Sequence, residues 1–250
     1  MRFAAVLLLL ALRAGAGAQT PAPPPQPEPG YLYRAVLVQA APGKLSELID
    51  LYKSSRAGAG EGSRENPFWM RHSQGDRWDL LLLYPMESYP AYYAPDRVAA
   101  RGKAAKALGA LAGKVRDATA RQEDVFVLGP PLQEVRERFA KAAFFHVEMF
   151  EALAGRRADL YREREMENAY LKTLGRPTNL IFVRDAGAAW DLFTIGFYRD
   201  LKHYAESADI PEAAQEAAAK AAGFEGASRI GPYLRNFIAA HHDTLAVGVK

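Results

Sequence analysis

The chain carries an internal repeat, because one stretch of its sequence matches a later stretch at a constant spacing of 112 residues. The matched identities need no gap: Gly43 with Gly155, Gly75 with Gly187, Trp78 with Trp190, Asp79 with Asp191, Leu80 with Leu192 and Tyr92 with Tyr204. Tryptophan is rare, and the chain has only 3 of them, so the shared Gly-x-x-Trp-Asp-Leu cluster is the strongest part of the match. A repeat of this length predicts two copies of one structural unit.

Both copies predict the same order of elements. The first copy has predicted strands at 33–39, 68–72, 78–84 and 124–128, with helices at 44–53 and 98–120. The second has predicted strands at 144–150, 180–184, 190–197 and 244–249, with helices at 156–174 and between 211 and 240. Strand, helix, strand, strand, helix, strand is the order of the split βαβ, or ferredoxin-like, unit.

Several predicted strands are apolar at successive positions, as in 36–38 and 80–83. Such runs indicate strands that are covered on both faces. One ferredoxin-like unit has a helix-covered face and a bare face, so two units in one chain can cover each other's bare faces. We therefore predict an α+β fold in which two tandem ferredoxin-like (βαββαβ) repeats pack as an intramolecular α/β barrel.

This element order and the Trp-Asp-Leu strands resemble the dimeric α/β-barrel superfamily over essentially residues 31–250. That group contains antibiotic-biosynthesis-type monooxygenases, NIPSNAP-like proteins, EthD-like proteins and chlorite dismutase-like haem proteins. We place repeat 1 at residues 31–130, a linker at 131–142 and repeat 2 at 143–250. The resemblance implies a monomer, because the internal pseudo-dimer supplies the partner that single-copy relatives obtain by dimerising.

The N-terminus has the three-part pattern of a secretory signal peptide, with Arg2, an apolar run and small residues that end at Ala18. We predict a signal peptide at residues 1–18, a proline-rich linker at 19–30 and a periplasmic or secreted location. The apolar run of about ten residues is shorter than the roughly 20 needed to span a bilayer, and no later apolar stretch reaches that length. Because the chain has no cysteine, disulfides and lipoprotein processing are excluded.

The charge balance argues against nucleic acid as a partner. The sequence has 32 basic and 29 acidic side chains, and loss of Arg2 and Arg13 with the signal peptide leaves 32 − 2 = 30 against 29. Basic and acidic residues also alternate through segments such as 133–141 and 156–167, so no basic face is expected. The expected partner is a small-molecule ligand.

The predicted strand 144–150 contains the main candidate site. Its residues alternate, so Phe144, His146, Glu148 and Phe150 share one face, while the other face is entirely apolar. We expect the apolar set to face the helices and the set with His146 and Glu148 to face the barrel interior. There an imidazole beside a carboxylate could move a proton, orient a ligand or bind a cation. The alternative is that His146 and Glu148 form a satisfied, buried polar pair that only packs.

Two further residues complete the predicted ligand-binding set. Arg34 occupies the position in the first copy that His146 occupies in the second, so the two half-sites differ, and Arg34 could supply a positive charge to an anionic group. His242 opens the last strand and could approach His146 and Glu148, or could lie at the negative end of a helix dipole. None of the 5 histidines has an established metal-binding spacing, so we predict no metal and assign no cofactor.

Three classes of function follow from these observations. The first is an exported protein that binds a small apolar or amphipathic ligand in a barrel pocket. The second is a monooxygenase-like or haem-dependent enzyme, as the resemblance implies. The third is an association module with the proline-rich segment as a spacer. No nucleophile elbow, phosphate-binding loop or dinucleotide fingerprint decides among them, and one fold hosts many chemistries.

Overall fold

The computed structural model describes residues 30–59 and 66–249. The predicted signal peptide, the proline-rich linker up to residue 29 and most of the glycine-rich segment 58–62 lie outside these residues. Repeat 1 contains β1 (Tyr31–Ala40), α1 (Leu45–Ala59), β2 (Phe68–Gln74), β3 (Leu80–Glu87), α2 (Tyr89–Tyr92), α3 (Pro95–Asp117) and β4 (Thr119–Gly129). The helix α4 (Leu132–Lys141) follows, within the segment expected to link the repeats.

Repeat 2 has the same element order with a longer second helical region. Its elements are β5 (Phe144–Ala152), α5 (Arg157–Thr173), β6 (Leu180–Ala186), β7 (Leu192–Tyr198), α6 (Leu201–Ala205), α7 (Glu212–Ala221), α8 (Ile230–Leu234) and β8 (Ile238–Gly248). The helices α1 and α5 begin 112 residues apart, and the strands β4 and β8 begin 119 residues apart, as the two sequence offsets predict.

The eight strands form one closed barrel in the order β1-β3-β2-β8-β5-β7-β6-β4. Within each repeat the strand order is the ferredoxin-like one, and β2 with β8 and β4 with β6 join the repeats through antiparallel pairs. The predicted α+β class and the tandem ferredoxin-like arrangement are therefore confirmed. Closure pairs every edge strand, which removes the unpaired backbone groups that an isolated repeat would expose.

Close backbone contacts hold the two junctions between the repeats. Gly75 and Gly187 have backbone φ angles of +125° and +118°, which side-chain-bearing residues rarely adopt. A Cβ atom on Gly75 would lie 2.1 Å from the carbonyl oxygen of Asp243, and one on Gly187 would lie 2.7 Å from that of Asp124. Each hairpin glycine therefore lets its repeat approach the last strand of the other repeat.

The barrel interior is a single apolar core to which both repeats contribute. Its buried side chains include Tyr33, Leu81, Phe145, Phe182 and Phe193. Two further clusters lie outside the barrel wall, one beneath α1 and α3 and one beneath α5 and α8. Because buried apolar side chains fill this core, it is poorly suited to hold a charge.

The helix α4 covers one end of the barrel. Val135 is fully buried in the interior core, and the Phe139 ring lies 4.9 Å from that of Phe68 and 5.1 Å from that of Phe145. The Tyr33 hydroxyl donates a hydrogen bond to the Pro130 carbonyl just before this helix. Among the residues that the structure describes, no helix is long and apolar enough to cross a membrane.

Candidate functional site in the second repeat

The side chains of β5 alternate between the barrel interior and the helix layer, but in the opposite sense to the prediction. Phe145, Val147 and Met149 belong to the interior core, whereas Phe150 packs beneath α5 and Glu148 reaches a side chain of that helix. The prediction that His146 and Glu148 face the barrel interior is therefore wrong. The apolar set packs in the barrel core, and the helix α5 supplies a polar partner for the set with His146 and Glu148.

His146 and Glu148 meet Asp243 on this helix-covered face. The strands β5 and β8 pair so that Glu148 lies opposite Asp243, and His146 Nε2 lies 3.1 Å from Asp243 Oδ1. One nitrogen of His146 and one carboxylate oxygen from each of Glu148 and Asp243 all lie within 4.8 Å of one another. Thr194 on β7 donates a hydrogen bond of 3.1 Å to Glu148 Oε2.

The other side of this cluster is formed by α5. Arg164 is only 3% exposed, and its guanidinium lies 2.5 Å from Glu167 Oε2, 2.6 Å from Glu163 Oε2 and 3.6 Å from Glu148 Oε2. It also stacks 4.8 Å above the centre of the Phe150 ring. Four carboxylates therefore surround one guanidinium and one imidazole, and we call the six residues the acidic cluster: His146, Glu148, Glu163, Arg164, Glu167 and Asp243.

Charge and burial shift the pKa values of several groups in this cluster, and the direction differs from group to group. Burial alone would lower the pKa of His146, but the hydrogen bond to Asp243 and the nearby carboxylates outweigh it and raise that pKa. The same hydrogen bond lowers the pKa of Asp243. Burial raises the pKa values of Glu163 and Glu167, even though Arg164 opposes the shift. The cluster therefore favours additional positive charge, whether protons or a cation.

In the part of repeat 1 that the structure describes, this cluster has no counterpart. At the equivalent positions it has Arg34 for His146, Val36 for Glu148, Leu51 for Glu163, Tyr52 for Arg164, Ser55 for Glu167 and Asp124 for Asp243. Arg34 Nη1 lies 3.7 Å from Asp124 Oδ1, and its guanidinium lies over the Tyr84 ring. The guanidinium of Arg34 therefore lies beside the aspartate of repeat 1. At the same place repeat 2 has the His146 imidazole and the Glu148 carboxylate.

The remaining predicted residues divide between this face and the barrel end. Phe144 contacts Tyr204 of α6 and Phe150 contacts Arg164, so both lie beside the cluster. The prediction that His242 joins His146 and Glu148 is wrong by one residue, because His242 pairs with Met149 and faces the other way. His241 takes the expected place, with Nε2 at 3.2 Å from Asp243 Oδ2.

Sequence reasoning missed Asp243 and the three residues of α5. The pairing register of β8 against β5 places Asp243 beside Glu148, and that register is not visible in the sequence. Glu163, Arg164 and Glu167 lie in a stretch of alternating charges that is typical of a solvated helix face. Glu163, Arg164 and Glu167 are spaced by one and three residues, so they can lie together on one side of the helix. That spacing, next to a strand with His146 and Glu148, was the signal that could have indicated the cluster.

Two cavities lie away from the cluster. The larger, of about 880 Å³, is a groove between α5 and the junction of β4 with β6, lined by residues such as Tyr31, Pro130, Tyr161 and Ile181. The smaller, of about 420 Å³, lies at the barrel end opposite α4 and is lined by residues of both repeats, including Trp78, Met149, Trp190 and His242.

The larger cavity offers no donor set that fits haem, the cofactor of some proteins that the sequence resembles. Haem iron takes an axial histidine, cysteine, methionine or tyrosine. The larger cavity is lined by tyrosines alone among these types, and burial raises the pKa of Tyr161, which opposes a phenolate ligand. The smaller cavity has Met149 and His242 among its lining residues, and its rim carries both arginines and carboxylates.

No protein-family model and no curated protein matches the chain. Solved structures do match its fold. A protein from Lactobacillus acidophilus NCFM, provisionally assigned as a monooxygenase, superposes with a TM-score of 0.52 at 9% identity over 88% of this chain and 100% of its own. An anthrone oxidase-like protein gives 0.51 at 10% identity over 90% and 93%.

A third match is a Fusobacterium nucleatum protein, also provisionally assigned as a monooxygenase, with a TM-score of 0.51 at 10% identity over 89% of this chain and 94% of its own. At such identities the likeness establishes the fold and not the activity. The molecule is therefore a single-chain α/β barrel that shares its fold with these solved structures. Within that fold, repeat 2 alone has the acidic cluster.

Proposed function

We propose, in contrast to the prediction from histidine spacing, that the acidic cluster of repeat 2 is the functional centre of the protein and that it binds a divalent metal ion through His146, Glu148 and Asp243. The observation that carries this proposal is the convergence of one imidazole nitrogen and two carboxylate oxygens within 4.8 Å. A mixed set of nitrogen and oxygen ligands suits ions such as Zn²⁺ and Mn²⁺. Three protein ligands leave positions on the ion for a small molecule.

The charge of the cluster supports a cation. Four carboxylates face Arg164 and His146 in a region where Glu163 and Arg164 are almost fully buried. Buried charges are costly unless they are paired, and Arg164 can neutralise only part of this set. A divalent ion at the exposed side of the cluster, beside Asp243, would balance the remainder while Arg164 keeps its closer pairs with Glu163 and Glu167.

The difference between the repeats points the same way. Repeat 1 places the Arg34 guanidinium beside Asp124, so its carboxylate already has a permanent cation. Repeat 2 keeps the aspartate as Asp243, adds Glu148 and replaces the arginine with His146. This exchange puts an imidazole in place of the guanidinium beside the aspartate and adds a second carboxylate, while Arg164 of α5 supplies a cation on the other side of Glu148.

Proton transfer is a second candidate function, favoured by the 3.1 Å contact between His146 and Asp243. A carboxylate that orients an imidazole is a common arrangement for acid–base chemistry. The structural neighbours include proteins assigned as monooxygenases, so oxidation of a small organic molecule is the reaction class to examine first. The exported location and the small-molecule partner expected from the sequence belong to this proposal.

Isothermal titration of the tag-free protein with Zn²⁺ or Mn²⁺ tests the metal site. We expect one ion per chain, with affinity reduced tenfold or more, about 1.4 kcal/mol, in His146→Gln, Glu148→Gln and Asp243→Asn. The matched control is Asp124→Asn, which changes the equivalent carboxylate of repeat 1 and should leave the affinity within twofold. No saturable binding, or equal weakening by Asp124→Asn, would contradict the proposal and leave proton transfer as the candidate.

A further inference from the structure

The cavity at the barrel end opposite α4 is lined by residues of both repeats. Several of them are equivalent pairs, for example Leu37 with Met149, Trp78 with Trp190, and Glu123 with His242. Its volume of about 420 Å³ is within the range of small-molecule sites. The cavity is separate from the acidic cluster, because β5 directs Met149 into the cavity wall and Glu148 towards α5.

The interior of this cavity is apolar, whereas its accessible part is charged. Leu37, Trp78 and Met149 are almost fully buried. Five charged side chains, three exposed and two half-buried, line the accessible part, which we call the mouth: Asp76, Arg77, Arg121, Glu123 and Glu151. The cavity therefore suits a molecule that combines an apolar group with a charged one.

The opposite charges at the mouth are not paired with each other. Four of the five side chains form no ion pair and no hydrogen bond with another described residue: Arg77, Arg121, Glu123 and Glu151. Arg121 and Glu123 are two residues apart on β4, so their side chains share a face of the strand. Glu123 also lies next to the buried Leu37 in the pairing of β1 with β4. The mouth therefore offers a free guanidinium and a free carboxylate side by side, close to the apolar interior.

The two repeats differ at this mouth. Where repeat 1 has charged residues, repeat 2 has small apolar ones, with Ala188 for Asp76, Ala189 for Arg77 and Ala240 for Arg121. Ala189 and Ala240 also line the cavity. The charged head of a ligand would therefore face repeat 1, and the small residues of repeat 2 leave space for its apolar part.

We propose that this cavity binds a zwitterionic molecule with a large apolar group, of the class of the apolar amino acids. Its carboxylate accepts hydrogen bonds from the guanidinium of Arg121, a pairing that the planar donor geometry of arginine favours. Its ammonium group donates to the carboxylate of Glu123, and its apolar group packs against Leu37 and Met149. A ligand with a single charge meets charges of both signs at the mouth, and an uncharged ligand pairs with neither. This site needs no metal ion and is independent of the acidic cluster.

Phenylalanine and two analogues test this proposal, because 2-phenylethylamine lacks the carboxylate and 3-phenylpropionate lacks the ammonium group. Equilibrium dialysis against the purified protein should show one phenylalanine per chain, bound at least tenfold more tightly than either analogue. Arg121→Gln should weaken phenylalanine binding about tenfold and change the binding of 2-phenylethylamine less than twofold. Glu123→Gln should also weaken phenylalanine binding about tenfold, but it should change the binding of 3-phenylpropionate less than twofold.

Control variants separate this cavity from the rest of the surface. Arg116→Gln and Glu225→Gln change exposed charges outside the cavity and should leave phenylalanine binding within twofold. Ala189→Phe and Ala240→Phe each place a ring at the mouth, and should abolish binding of phenylalanine in proteins that remain folded by circular dichroism. The proposal is overturned by equal affinities for phenylalanine and its analogues, by phenylalanine binding that survives both alanine variants, or by no saturable binding of phenylalanine, leucine or tryptophan.

Discussion

At the scale of single residues, the contact between His146 and Asp243 couples the stability of repeat 2 to pH. The pKa of His146 is raised in the folded protein, so the protonated imidazole stabilises the fold. That contribution is fully present below the unfolded pKa of about 6.5 and is lost as the pH rises through the folded value. The pKa of Asp243 is lowered, so its contribution is present above about 3.9 and is lost at more acidic pH.

We therefore predict that His146→Gln destabilises the metal-free protein more at pH 5.5 than at pH 8.5. Urea unfolding in the presence of a chelator measures the free energy of unfolding of both proteins at each pH. The control is His242→Gln, which changes an exposed histidine of β8 that lies outside the acidic cluster, and the difference between the two pH values should be smaller there than for His146→Gln. A larger loss at pH 8.5 than at pH 5.5 would show that His146 is held neutral.

At the scale of elements, α5 provides the buried charge that holds the carboxylates of the cluster together. Removal of one partner from a buried ion pair leaves an uncompensated charge and costs about 3–5 kcal/mol. Arg164→Met should therefore destabilise the protein strongly at pH 7.5 and less at pH 5, where Glu163 and Glu167, whose pKa values are already raised, take up protons more readily.

The matched control for this prediction is Arg162→Met. Arg162 lies on the exposed side of the same helix, with its side chain 50% exposed and an ion pair to Asp159 at 3.6 Å. Exposed pairs of this kind contribute little, so the melting temperature should hardly change. If Arg164→Met destabilises no more than Arg162→Met, the buried network does not stabilise the helix on the sheet.

The strands also show which parts of the site the sequence could predict. Period-two alternation correctly separated His146 and Glu148 from Phe145 and Val147, because backbone geometry alone dictates it. It could not decide which set faces the barrel, since that depends on what the other elements supply. The set with Glu148 faces the helices because Arg164 on α5 supplies a partner for that carboxylate. The pairing register of β8 then places Asp243, and not His242, beside Glu148. Each choice depends on a contact between residues distant in sequence.

At the scale of the whole molecule, the fold was predictable because two copies of one pattern reinforce each other. The constant spacing between the Trp78 and Trp190 segments located equivalent strands without any alignment to another protein. The helix α4 was not predicted, because residues 131–142 lie outside the part of the chain that the repeat match covers. Its role became visible only once Phe139 was placed against Phe145 at the barrel end.

The closed barrel predicts that neither repeat is stable as a monomer on its own. In the complete chain β2 pairs with β8, and β4 pairs with β6, so a fragment of residues 30–130 would expose both edge strands. It would also expose its half of the interior core, including Tyr33, Leu81 and Leu83. Apolar burial contributes about 25 cal/mol per Å², so the loss of one whole wall of the core is a large penalty.

We expect this fragment to form a homodimer or to aggregate, because a second copy can pair with both exposed edges in the way that repeat 2 does. The complete chain should remain a monomer, since its edges are already paired. Light scattering at matched concentrations measures the masses of the fragment and of the whole chain. A fragment of residues 30–142, which retains α4, is the control for loss of the helix that covers the barrel end. A monomeric 30–130 fragment with a cooperative unfolding transition would show that each repeat folds independently, and that the barrel joins two units that are already stable.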